Sequence, residues 1–437
     1  MGSQVSKLTA SFTRERFIKW ALCKECLNER AGDTTLSASG DNLPAATETP
    51  QCRSGDPECA GWEAVNANNT FCRDLWKVLS AEAPDNLVFS PLGISLVMGA
   101  LAEGASGRTL RKIKETMHFD YNSRRRAGHS ELLISLGKVV NPIISIASRM
   151  FVSKLITLLP GFTDHVMSTY SSSPLSVDFL DPVSTARTIN AWSASSTRGL
   201  ISNLIEPDEI HPDAKLILAN AIYFKGTWEA EFDPEMTTPD QFDSPKGPRD
   251  VMMMRQRNKF YYSPMPGEDC TMLEMPYQGC RFAMQFLLPD EGADLHKLSN
   301  GLNHPQMEGL FARTKTITDV CVHLPRFKVS HKLDLSQSLC DLGLTEMFSQ
   351  NANFSRLSPT PLLVSKVRQT AIVEVTEEGC EAAAVTTCEM VDRCGGGSTP
   401  PPVVYFLMNR PFLYRIVDLV SGVLLFQGAV TDPTLSA

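Results

Sequence analysis

Hydrophobic positions in the first third of the chain recur at helical spacing. Serine is a preferred N-cap and proline is favoured at the first helical position, so Ser90-Pro91 predicts the start of one helix. Gly104 and Gly107 end that helix, and Thr109 is the predicted cap of a second one. The apolar faces comprise Ile94, Val97 and Leu101 in the first helix and Leu110, Ile113 and Met117 in the second.

Strand patterns dominate the rest of the chain. Alternation places Ile144, Ile146, Met150 and Val152 on one parity of a strand. The run LILANAIYF at 216–224 is too apolar to face water on either side, which predicts a central strand covered on both faces. Further strands are predicted at 282–289, 319–327 and 361–375 and in the closing pair PFLYRIV and GVLLFQGAV. Early helices and late strands predict an α+β fold with a helical N-terminal half and large mixed or antiparallel β-sheets.

One segment between two strand-like runs fits neither pattern. Residues 374–404 read EVTEEGCEAAAVTTCEMVDRCGGGSTPPPVV. Long loops inside a compact domain are usually functional. The acids Glu381 and Glu389 fall on odd positions, whereas the uncharged even positions are Cys380, Ala382, Ala384, Thr386, Cys388 and Met390. This segregation predicts an exposed loop that can become a strand with one buried and one wet face.

The composition is typical of a globular protein and does not indicate a particular binding partner. Apolar residues make up 43% of the 437 residues, and the formal net charge of -8 gives no sign of nucleic-acid binding. No window of about 18 apolar residues exists, so no transmembrane segment is predicted. The N-terminus lacks a signal-peptide pattern, and the 12 scattered cysteines are typical of reduced thiols, which together predict the cytosol.

Residues 1–65 are predicted to form a disordered extension, because Ser, Thr, Ala, Asp and Pro dominate after residue 30. Residues 66–437 are predicted to form one domain. The extension begins MGSQVS, which fits an N-myristoylation site with Gly2 as the acceptor. Cys23 and Cys26 form a CxxC pair, but a second cysteine pair has the wrong spacing and no histidine is near. Free thiols are therefore favoured over a zinc site.

Catalytic motifs are missing from the sequence. There is no G-x-S-x-G, no H-E-x-x-H and no glycine-rich phosphate loop, and the eight histidines stand singly. Cys394 is followed by three glycines, which would leave a thiol nucleophile without an oriented base. The sequence therefore predicts no enzymatic activity, no metal and no cofactor.

Several stretches resemble one protein family. EVTEEGCEAAAVTT at 374–387 resembles the reactive-loop hinge of the serpins, and FLMNRPFLYRI at 406–416 resembles their C-terminal signature. Further stretches match in the family order, namely NLVFSPLGIS (86–95), GASGRT (104–109), INAWSASSTRGLI (189–201), NAIYFKGTWEAEF (220–232) and LPRFKV (324–329). The resemblance covers 66–437. The loop length and the ending VSGVLLFQGAVTDP are most similar to plant serpins.

The resemblance implies a serpin fold whose reactive loop is bait for a protease. The protease forms an acyl-enzyme with the loop, and the cut N-terminal arm then inserts into the main sheet as an extra strand. About fifteen inserted residues at ~3.3 Å each would carry the protease on the order of 50 Å. The expected protein is a monomeric protease inhibitor whose partner is the target protease, held in a covalent acyl complex.

Individual roles follow from the same resemblance. Glu377, Glu378 and Gly379 form the hinge. The inserting arm begins at Cys380, where relatives usually carry Thr or Ser, and continues through Glu381, Ala382, Ala383 and Ala384.

The reactive bond is expected between Arg393 and Cys394, counted as in plant members. Arginine before the bond suits proteases with an acidic specificity pocket, either trypsin-like serine proteases or arginine-specific cysteine proteases. Asp392 is the alternative residue before the bond, suited to an aspartate-specific protease, and Arg393 is favoured over it.

The region where the sheet opens departs from the family at two positions. Family members pair a Ser and an Asn with a His. Ser90 and Asn220 are present here, but Gln369 stands at the His position and Gly93 replaces a customary Ser. Because glutamine both donates and accepts hydrogen bonds, we expect the network to survive.

The rival class is a non-inhibitory serpin, a binding or storage protein whose loop is cut as a plain substrate. Hinge prolines or charges on the inserting face would favour that class. No proline stands between the hinge and Cys394, and the even positions from 380 to 390 carry no charge. Inhibition is therefore predicted. Without a signal peptide the cytosol is the expected location, and the extracellular space is the family alternative.

Overall fold

The structure is a computed structural model that describes residues 59–82, 85–119, 123–137, 143–265, 269–293, 295, 298, 316–378 and 403–435. Its first helix, Cys59–Glu82, begins before residue 66, inside the stretch predicted to be an extension. Small and polar residues in the first turns of this helix made it resemble the preceding extension, although Ala64 and Val65 are buried in the core. The predicted disorder of 1–58, the Gly2 acceptor and the Cys23/Cys26 pair lie outside the described residues.

The bounds of seven α-helices are described: α1 Cys59–Glu82, α2 Pro91–Gly104, α3 Gly107–Thr116, α4 Ser123–Gly137, α5 Pro160–Tyr170, α6 Pro182–Ser196 and α7 Ser336–Asp341. Helix α2 begins as predicted, with the Ser90 Oγ accepting a hydrogen bond from the Gly93 N–H at 3.2 Å. The prediction of Thr109 as a cap is wrong, because α3 already begins at Gly107. The Thr109 hydroxyl instead accepts the Asn353 N–H at 2.9 Å, fixing a distant loop.

Fourteen strands in the described ranges form two sheets: β1 Leu87–Phe89, β2 Ile143–Ser153, β3 Leu175–Val177, β4 Leu216–Lys225, β5 Thr238–Ser244, β6 Gly247–Met265, β7 Cys270–Pro276, β8 Phe282–Pro289, β9 Thr316–Pro325, β10 Phe327–Asp334, β11 Lys366–Val375, β12 Val404–Leu407, β13 Phe412–Asp418 and β14 Leu424–Val430. The main sheet has the order β10-β11-β4-β2-β3. The second sheet follows β1-β14-β13-β8-β7-β6-β9-β12, with β5 paired to β6.

Most predicted strands are confirmed, with two differences. The run 282–289 is β8, and the closing pair is β13 and β14. The run 319–327 is divided between β9 and β10, because proline has no N–H for a ladder and β9 ends at Pro325. The run 361–375 forms a strand only from Lys366 onward.

Strand β4 is covered on both faces, as its apolar run predicted. On one face, the side chains of Leu218 and Ile222 lie in the main core, where every residue of α2 is buried and α2 contacts β2, β4 and β14. On the other face, Ile217 and Ala219 pack against Ile189 of α6. The resulting α+β architecture, with six of the seven described helices before β4, agrees with the predicted fold class.

Candidate functional site: the hinge and the seam of the main sheet

Strands β4 and β11 form a parallel pair, and we call the line between them the seam. Their register runs from Lys366 opposite Ile217 to Val373 opposite Phe224. The outer neighbours of the two strands, β2 and β10, are each antiparallel to them. A chain that leaves the end of β11 and folds back along the seam would run antiparallel to both β11 and β4. Backbone geometry therefore allows one more strand at the seam.

The hinge leaves β11 at a fixed point, because the Glu377 carboxylate is held by two side chains. Its Oε1 accepts a hydrogen bond from the Thr237 hydroxyl at 2.6 Å and another from the Arg326 Nε at 2.5 Å. Burial of Glu377 acts to raise the pKa of its carboxyl, but the hydrogen bonds from Arg326 and Thr237 outweigh burial, so the pKa is lowered. The carboxylate is thus kept ionised as an anchor for the hinge.

Backbone contacts attach the same hinge to the end of β4. The Trp228 N–H donates to the Glu378 carbonyl at 3.2 Å, and the Phe232 N–H donates to the Glu377 carbonyl at 3.0 Å. The indole Nε1–H of Trp228 donates to the Thr376 carbonyl at 3.1 Å. Trp228 itself stacks on Tyr277, with ring centroids 4.5 Å apart. Because Trp228 follows β4, the hinge stands at one end of the seam.

The remaining residues of the predicted loop follow the hinge in the sequence. Gly379, the arm of Cys380, Glu381, Ala382, Ala383 and Ala384, and the bond between Arg393 and Cys394 lie outside the described residues. The chain is described again from residue 403, and β12 pairs in parallel with β9 in the second sheet. The loop thus connects a strand of the main sheet to a strand of the other sheet.

Ser90, Asn220 and Gln369 come together beneath the middle of the seam. The Gln369 Nε2 donates to the Asn220 Oδ1 at 2.7 Å and to the Ser90 carbonyl at 2.9 Å. The Gln369 Oε1 accepts the Ser90 N–H at 2.9 Å. Asn220 in turn donates to the Ser148 hydroxyl at 2.9 Å. Glutamine therefore joins both strands of the seam to the start of α2, and the expected network is present.

The glycine at position 93 is required by this network. A Cβ atom at Gly93 would overlap the side-chain amide of Asn220, and the Gly93 carbonyl accepts a hydrogen bond from Ser148 at 3.3 Å. Helix α2 therefore lies so close to the seam that position 93 has no room for a side chain. Gly93 and Gln369 therefore belong to one arrangement of buried polar groups around Asn220.

We expect Gly93→Ser to destabilise the intact protein. Forcing extra atoms into a packed site costs about 1–3 kcal/mol, which should lower the melting temperature by several degrees. Gly161→Ser is the matched control, because Gly161 also lies in a helix and a Cβ there meets nothing within 4 Å. Thermal unfolding followed by circular dichroism measures both variants. Equal melting temperatures for the two would contradict the overlap with Asn220.

Three residues of this site had no predicted role. Ser148 carried a visible signal, because it is a polar residue on the apolar parity of β2. Arg326 lies in the stretch LPRFKV, where no local pattern marks it as a partner of the hinge. Thr237 had no signal, since its contact with Glu377 joins segments far apart in the sequence.

Comparisons with known proteins agree with this geometry. The family model described as "Serpin (serine protease inhibitor)" matches residues 66–433. Human Serpin B3 is 33% identical over 389 residues, covering 84% of this chain and 98% of that protein. The leukocyte elastase inhibitor of Sus scrofa is 34% identical over 380 residues, with the corresponding shares 84% and 98%. Human thyroxine-binding globulin superposes with a TM-score of 0.78 at 26% identity, covering 86% of this chain and all of that one. The chain belongs to the serpin family.

Proposed function

We propose that this serpin inhibits proteases as a suicide substrate, by cleavage of its loop and insertion of the cut arm at the seam. The observation that carries the proposal is the parallel β4–β11 pair, which can accept one antiparallel strand, with the hinge anchored at its end. A loop that follows β11 directly needs only a reversal at Gly379 to enter the seam. The uncharged even positions of the arm supply a face for burial.

The chemistry at the bait is an interrupted acyl transfer. The protease hydroxyl or thiol attacks the Arg393 carbonyl, and the new ester or thioester forms as the Arg393–Cys394 amide breaks. The amine of Cys394 leaves with a proton from the general acid of the protease. Insertion then removes the acyl-enzyme from its productive geometry before water can hydrolyse it.

Relatives support inhibition and also show the alternative. One similar protein carries the name leukocyte elastase inhibitor, and another is thyroxine-binding globulin, whose name describes a binding protein. The second candidate function is therefore a non-inhibitory serpin, cut as a plain substrate. The arm without proline or inserting-face charges favours inhibition over this alternative.

Target specificity is proposed to depend on Arg393. We expect the protein to form a denaturant-resistant complex with trypsin, visible on a gel, and Arg393→Ala to abolish that complex without unfolding the protein. An acidic specificity pocket pairs with arginine and gains nothing from alanine. Mass spectrometry of the cleaved protein should place the cut between Arg393 and Cys394.

Asp392→Ala is the matched control for this experiment, since it changes the neighbouring charged side chain of the loop. It should trap trypsin as the unchanged protein does. A cut mainly after Asp392, or trapping that survives Arg393→Ala, would move the reactive bond.

Finer properties remain predictions of the sequence. They are a monomer in the cytosol, a loop most similar to plant serpins, and a myristoyl group on Gly2. The three similar proteins named above are human Serpin B3, the leukocyte elastase inhibitor of a pig and human thyroxine-binding globulin. In the described ranges no helix is long and apolar enough to cross a membrane, and no cluster of His, Cys, Asp and Glu could hold a metal.

A further inference from the structure

The connection between α6 and β4 lies on the β4 side of the seam. Ile205 and Ile210 of this connection pack in the same cluster as Ile189 of α6 and Ile217 of β4. The Asn190 Nδ2 donates to the Ile205 carbonyl at 2.9 Å. The connection, α6 and β4 therefore form one packed unit, whereas β10 and β11 lie across the seam.

Two acidic side chains of this connection reach across the seam to basic ones. Glu209 forms an ion pair with Arg368 of β11, and Glu206 lies 4.0 Å from the Lys332 Nζ of β10. The Glu206 N–H donates to the Glu209 Oε2 at 2.8 Å, which orients the carboxylate of Glu209. Both pairs thus join the packed unit on the β4 side to the strands on the other side.

Arg368 is placed where its charge has few other partners. It is the register partner of Ala219 on β4, and only 6% of its surface is exposed. Its Nε has no hydrogen-bond partner among the residues the structure describes. Burial lowers the pKa of the guanidinium. A buried cation of this kind is strongly destabilising when its partner is removed, whereas the more exposed Lys332–Glu206 pair contributes little.

We propose that Glu209 and Arg368, supported by Glu206 and Lys332, form an electrostatic clasp that holds the seam closed and sets how readily the loop inserts. The effect of the clasp on loop insertion rests on the proposed function, whereas the clasp itself does not. Neighbouring strands lie about 4.8 Å apart, so an inserted strand would move Arg368 away from Glu209 by about that distance and break the pair. Arg368 and Glu209 are thus positioning residues for the inhibitory reaction.

Hydrogen exchange of the uncut protein tests the clasp directly. Glu209→Gln removes the charge but keeps an oxygen that can accept the Glu206 N–H. We expect amides of 216–225 and 366–375 to exchange faster by on the order of ten-fold, which corresponds to about 1.4 kcal/mol. Arg368→Met, which keeps an unbranched apolar side chain but removes the charge, should act in the same direction, and the double variant should exceed neither single variant by much.

Asp208→Asn is the matched control, because Asp208 is an exposed acid one residue away in the same turn. It should leave exchange at the seam unchanged. High salt should accelerate exchange at the seam in the unchanged protein, and it should do so less in Glu209→Gln. A role of Glu209 that did not depend on its charge would not produce this difference in salt dependence. Exchange at the seam that is equal in Glu209→Gln and Asp208→Asn would overturn the clasp.

Trapping of trypsin separates the clasp from the function. If both hold, Glu209→Gln should divert less protein into cleaved, uncomplexed product, because insertion competes better with hydrolysis of the acyl-enzyme. Faster exchange with no covalent complex from any variant would overturn the proposed inhibition and leave the clasp standing. Unchanged exchange in Glu209→Gln together with normal trapping of trypsin would overturn the clasp and leave the proposed inhibition standing.

Discussion

Cutting the loop after Arg393 is expected to raise the melting temperature of the protein by tens of degrees. In the uncut chain, β4 and β11 share one ladder of eight register pairs. A strand inserted between them replaces that ladder by two, so the net gain is about one ladder. At ~0.5–1.5 kcal/mol per hydrogen bond, and with apolar side chains buried as well, the gain is on the order of 10 kcal/mol.

That gain is large on the scale of thermal stability. One kcal/mol shifts the melting temperature by about 2–4 °C in domains of 150–250 residues, and somewhat less in a larger one. Circular dichroism of the uncut protein and of the cleaved, uncomplexed product separated from a mixture with trypsin measures the shift. An unchanged melting temperature after a verified single cut would show that the arm does not insert, and would favour the non-inhibitory alternative.

Ala382→Arg is expected to convert the inhibitor into a substrate. Position 382 lies on the even-numbered face that the sequence predicts to be buried on insertion, and an uncompensated charge there costs several kcal/mol. Insertion would then be slower than hydrolysis of the acyl-enzyme. Trypsin should still cut after Arg393, but a gel should show cleaved protein in place of the covalent complex.

Ala383→Arg is the control, since it adds the same charge one residue along the chain. The odd positions already carry Glu381 and Glu389, so charge on that face should interfere far less. The partition between complex and cleaved product, measured for both variants against trypsin, decides the question. Equal partition for the two would mean that the arm has no buried and wet faces.

Local patterns were enough to predict the fold where a residue type determines the backbone. Ser90 and Pro91 gave the start of α2, and an apolar run gave β4. The predictions were wrong where a nearby residue determined the end of an element. Thr109 is a good cap, but α3 had already begun at Gly107. The break between β9 and β10 was missed because Pro325, where β9 ends, was included in one predicted strand.

The site residues that were predicted from the sequence are those that lie in the family motifs. The hinge, Ser90, Asn220 and Gln369 were named from resemblance, and the structure adds the distances that connect them. The partners of Glu377 were not predicted, because Arg326 and Thr237 approach it only through the fold. Whether glutamine could span the seam also depended on side-chain geometry, which no spacing in the sequence encodes.

The contact between α2 and the seam has an evolutionary consequence. The amide of Asn220, held by Gln369, occupies the space that a side chain at Gly93 would need. Residues in contact do not contribute additively, so the effect of a substitution at 93 depends on which residue stands at 369. We therefore expect residues 93 and 369 to be epistatic, so that the packing cost of a side chain at 93 changes with the residue at 369.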